Sequence, residues 1–76
     1  MNDHPHESTV EPMLRWFAFD HLPPMLARVS MPFSRLAQEL CNVLPRSAER
    51  TVALRKLLES KDAAVRCAVA DIQETP

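Results

Sequence analysis

The chain contains no glycine, no tyrosine and only two cysteines. Without glycine it lacks the residue that turns tightly at little cost, which argues against an all-β fold and a dinucleotide-binding fold. Cys41 and Cys67 stand in no Cys-x-x-Cys or Cys/His ligand spacing, so no structural metal is expected. No apolar run approaches the roughly 20 residues that cross a bilayer. A basic-then-apolar leader is missing too, which makes a reducing cytoplasm with free thiols the expected setting. Nor is there a Gly-rich phosphate loop, a His-Glu-x-x-His pair or a catalytic serine or cysteine signature. An enzyme is therefore the least favoured class, and no cofactor is expected.

The 76 residues allow one domain at most. Residues 1–12 mix prolines, acids, histidines and hydroxyls without an apolar period, the composition of a solvated acidic tail. His4 and His6 within it are read as incidental rather than as metal ligands. Residues 13–76 form the expected domain. At that size a single core is marginal, and with metal and disulfide set aside, oligomerisation is the remaining staple.

Net charge is −1, unevenly spread. Residues 1–20 hold four acids and one base, whereas residues 21–70 hold eight bases and four acids, about +4. That is too weak for a surface that binds polymeric DNA or RNA. It is enough for a few phosphates.

The periodicity is helical. Leu26, Val29, Phe33, Leu36, Leu40 and Leu44 recur at steps of three and four, predicting a helix over residues 24–44 that opens at Pro23-Pro24. Pro32 predicts a kink, or a fresh start capped by Ser30. Pro45 ends the helix and Ser47 is the expected N-cap of a second, over residues 48–72. Its seam reads Leu54, Leu58, Lys61, Val65, Ala68, Ile72. Arg55 with Glu59, and Asp62 with Arg66, are spaced to pair along its flank. The short link makes the helices antiparallel, so the fold class is all-α, a two-helix hairpin with a short N-terminal element. Cys41 and Cys67 then lie about 24 Å apart along the hairpin, too far for a disulfide.

One hairpin cannot hide Met25, Met31, Val52, Leu57 and Val69 together, and such surface predicts self-association. The expected interface residues are Trp16, Phe17, Leu57, Lys61 and Val65. Trp16 and Phe17 are read chiefly as packing anchors. Lys61 occupies a seam position where an ammonium needs a partner or must snorkel. The aromatic–basic stretch from Arg15 through Phe19 to His21 is the densest candidate site, because aromatic faces stack bases while cations pair with phosphates. Asp20 beside His21 suggests hydrogen bonding rather than catalysis. Arg66 either reaches a phosphate or satisfies Asp62, with pairing preferred.

Three stretches together resemble a known family. They are Phe17-Ala18-Phe19-Asp20-His21-Leu22-Pro23, Leu36-Ala37, and the run from Leu44-Pro45-Arg46-Ser47-Ala48-Glu49-Arg50-Thr51 to Val52-Ala53-Leu54-Arg55-Lys56-Leu57-Leu58-Glu59. Over residues 15–69 the chain resembles the phage anti-CBASS type 2 sponges, whose helical-hairpin domain is shared with anti-Thoeris sponges. The resemblance implies a homohexamer that binds cyclic dinucleotides between subunit pairs, and cyclic trinucleotides where three subunits meet. Such sponges hold the messenger without cleaving it, inside the host cell, so immune effectors stay silent. It also implies ligand-binding roles for Phe19, Ser30 and Arg28, which join His21 and Arg66 as the expected ligand-binding residues. Phe19 stands where well-known members carry a stacking tyrosine and keeps the ring without the hydroxyl. Ser30 stands nearest their phosphate-pairing base, which leaves charge pairing to Arg28.

Overall fold

Local chemistry explains where each helix starts and stops. The computed structural model describes residues 11–74, with side chains through Asp71. A 3₁₀ helix, Pro12–Phe17, is followed by α1, Pro24–Val43, and α2, Ala48–Glu74. Among the described residues there is no strand. Pro23 and Pro24 open α1, and the amide of Ala27 donates to the Pro23 carbonyl at 2.9 Å. The stop at Pro45 and the cap at Ser47 fall as expected. Leu44 closes α1 by donating to Leu40 O at 2.9 Å, and Ser47 Oγ accepts the Arg50 amide at 3.1 Å.

The helix runs unbroken through Pro32, without the fresh start at Ser30. Pro32 and Arg28 are both exposed, so the Arg28 carbonyl that loses its amide partner sits on the solvent side. Ser30 instead faces inward and is fully buried.

The packing seam of α1 also differs from the expected one. Its buried line is Ser30, Ser34 and Ala37, continued by the half-buried Cys41, again at steps of four and three. Phe33 and Leu40 flank that line against the core, while Leu36 and Leu44 from the expected stripe are exposed. On α2, Leu54 is fully buried, and Leu57 and Leu58 pack beside it. Phe17, at the end of the 3₁₀ helix, fills the space between the helices and the N-terminal element.

The core is small. Phe17, Ala37 and Leu54 are its only buried apolar residues among those described, while Trp16, Met25, Leu36, Val43 and Val52 are exposed. The cysteines are free. No described helix is long and apolar enough to cross a membrane.

Candidate functional site

The N-terminal element is held at both ends. At its start Glu11 accepts the Met13 amide at 3.3 Å and caps the first turn. The other carboxylate oxygen accepts from the Arg50 guanidinium at 2.7 Å, with side-chain exposures of 8% and 6%. The expected acidic tail is therefore shorter than residues 1–12: Glu11 and Pro12 belong to the fold, and residues 1–10 lie outside the described residues. The reason is electrostatic. Arg50 sits in the first turn of α2, where the helix dipole disfavours a cation, and needs a buried anion. It also donates to Leu44 O at 3.1 Å and Cys41 O at 3.3 Å, satisfying carbonyls at the end of α1.

Burial pushes the Glu11 carboxyl up, but the Arg50 hydrogen bond, the Met13 amide and the charges of Arg50 and Arg46 pull it below its ordinary value. Burial likewise pushes the neighbouring Cys41 thiol up, against the opposing charge of Arg50.

At its far end the element ends on Phe17, and beyond it the chain turns at Phe19–Leu22, with the Leu22 amide on Phe19 O at 3.0 Å. This path places Arg15, Trp16, Ala18, His21 and Leu22 opposite Lys61, Asp62, Val65 and Arg66 of α2. The α2 residues recur over one turn and share a face. Between the two walls lies a cleft of about 460 Å³. Arg15 stacks on Trp16, its guanidinium carbon 4.8 Å from the ring centroid, yet the indole stays 53% exposed. Lys61 Nζ lies 3.1 Å from Asp62 Oδ1, the lysine side chain 13% exposed and the aspartate 49%. Arg15, Lys61 and Arg66 against Asp62 give the cleft a formal charge of +2 before His21 is counted.

The sequence expectations sort clearly on this frame. His21 and Arg66, expected to hold ligand, line the cleft. So do Trp16, Lys61 and Val65, expected at a subunit interface. Phe19 is half-buried and Arg28 is exposed on α1, and neither is among the residues that line the cleft. Ser30 is corrected as a ligand residue, because at 0% exposure its hydroxyl reaches no solute, and its Oγ has no hydrogen-bond partner. Phe17 is corrected as an interface residue, since its own chain already buries it completely. Leu57 packs partly against the same core. Asp62 pairs with Lys61 rather than with Arg66, and the Arg55–Glu59 pair does not form.

Sequence reasoning missed the Glu11–Arg50 pair. A basic residue in the first turn of a helix was its one visible signal. No family model, no curated protein and no solved structure matches the chain.

Proposed function

We propose that this chain is a sponge for cyclic oligonucleotide messengers: it binds cyclic di- or trinucleotides in the cytoplasm of a phage-infected cell and withholds them from host immune effectors. The cleft between the N-terminal element and α2 carries this reading. Its volume lies in the range of small-molecule sites. Trp16 offers ring surface for a base, and Lys61, Arg15 and Arg66 offer partners for phosphates. The formal +2 of these walls balances the two phosphodiesters of a cyclic dinucleotide. The family resemblance over residues 15–69 points the same way.

The working unit in this proposal is a homo-oligomer, a hexamer by the resemblance. A core of three buried apolar residues with Met25, Leu36, Val43 and Val52 exposed supports it. A second copy laid on the open side of the cleft makes the site concave on all sides.

Isothermal titration against cyclic di- and trinucleotides tests the proposal. The expected result is saturable binding, with the ligand released intact on heat denaturation. Silence across the panel, or recovery of linear product, overturns it. The exposed apolar residues equally suit a second reading, an interaction hairpin that assembles without a ligand. Phe19→Ala separates the two: lost binding by intact oligomers favours the sponge, and weakened assembly favours the hairpin.

A further inference from the structure

We infer that the buried Glu11–Arg50 pair positions the N-terminal wall of the cleft, so that both are positioning residues for ligand capture although neither lines the site. The inference rests on the cleft being a binding site. A 3₁₀ helix of six residues cannot hold itself together in water, and Pro12–Phe17 keeps its shape only through what anchors it. The structure provides two strong anchors. Phe17 is buried completely at one end, and Glu11 is held at 2.7 Å by Arg50 at the other. Met13 and Leu14 add only partial packing against the core.

Arg15 and Trp16 lie between these anchors, on the stretch that faces α2. Their backbone course depends on the hydrogen bonds Leu14 N to Glu11 O at 3.0 Å and Ala18 N to Arg15 O at 3.3 Å. With the Glu11 end released, the strand of chain pivots on Phe17 and the Trp16–Arg15 wall samples many positions. A ligand then binds only the fraction of molecules in which the wall is in place, and affinity falls by that fraction. Arg50 is anchored independently by the α1 carbonyls, so it stays as a fixed post for Glu11 to return to.

The test uses Glu11→Gln, which keeps side-chain size and one weaker hydrogen bond, and the shorter, charge-retaining Glu11→Asp. Amide hydrogen exchange is read at Met13, Leu14 and Ala18 and, separately, in α2 around Leu54. Trp16 fluorescence anisotropy and affinity for cyclic di-AMP and cyclic tri-AMP are measured on the same samples. For Glu11→Gln we expect exchange in the N-terminal element to accelerate about tenfold more than exchange in α2, with lower Trp16 anisotropy and about tenfold weaker binding of whichever probe the wild type holds. Glu11→Asp should fall between. Equal acceleration in both regions, the mark of a pair that merely stabilises the whole fold, overturns the inference. So does an unchanged N-terminal element, or a loosened one with undiminished affinity. If the wild type binds neither these probes nor any other cyclic di- or trinucleotide of the titration panel, the sponge reading fails, while exchange and anisotropy still decide whether the pair fixes the wall.

Discussion

Truncating Arg50 to alanine removes three side-chain hydrogen bonds at once, one to Glu11 and two to the carbonyls of Cys41 and Leu44. What is left behind matters more than what is lost. The Glu11 carboxylate, 8% exposed, becomes a buried anion without its counter-ion. Breaking a buried pair from one side costs about 3–5 kcal/mol, because the remaining charge is neither paired nor hydrated. For a chain of this size that lowers Tm by at least about 12 °C. Removing both charges, as in Glu11→Leu with Arg50→Met, abolishes the unpaired anion but leaves the two α1 carbonyls without donors. Because the Met13 amide also loses its Glu11 acceptor, that double variant should lie below the wild type but above the single one. Urea denaturation followed by far-ultraviolet circular dichroism measures all three proteins, at one fixed protein concentration since assembly shifts the midpoint. A single variant within about 1 kcal/mol of wild type, at unchanged m, refutes the reasoning. So does a double variant less stable than the single one.

Other outcomes follow from the same geometry. Because Glu11 has its carboxyl held below the ordinary value near 4.5, its ionised form is the one that folding favours. Its contribution is fully present above that value and is lost as pH falls through the lowered one, so the stability difference between wild type and Glu11→Gln should be flat near neutrality and shrink in acid. A difference that grows on acidification contradicts this. The exposed Cys67 should react with a thiol reagent about tenfold or more faster than Cys41, which burial keeps protonated, and urea should equalise the two. Comparable rates in the native protein would count against the packing around Arg50. Ser30→Ala deletes a fully buried hydroxyl that has no partner, and should raise stability by about 1 kcal/mol in the same urea assay. A loss of similar size would mean that Ser30 Oγ has a partner.

The helices and their turn were legible because their determinants are local. Pro23-Pro24, Pro45 and Ser47 act within one turn of where they stand, and their effects survive any tertiary arrangement. The seam of α1 was not legible. A search for large apolar residues finds Leu36 and Leu44, yet the fold buries Ser30, Ser34 and Ala37 from the neighbouring line. Nothing in a period separates a serine that faces water from one that the fold buries. The Glu11–Arg50 pair was hidden for another reason, since 39 positions separate its members and no local rule links them. Its loss from view explains why Glu11 reads as part of a solvated tail. The cleft was half legible: Trp16, His21, Lys61 and Arg66 stand out by type, but Asp62 meets Lys61 rather than Arg66. Ser30 fails as a ligand residue through its orientation, which a resemblance in sequence does not reveal.

The most direct test is native mass spectrometry of the protein purified from cells that express a cyclic-oligonucleotide synthase. A homo-oligomer that carries a stoichiometric, uncleaved cyclic nucleotide is the predicted species. A bare monomer, or an assembly free of nucleotide from cells rich in it, would contradict the account.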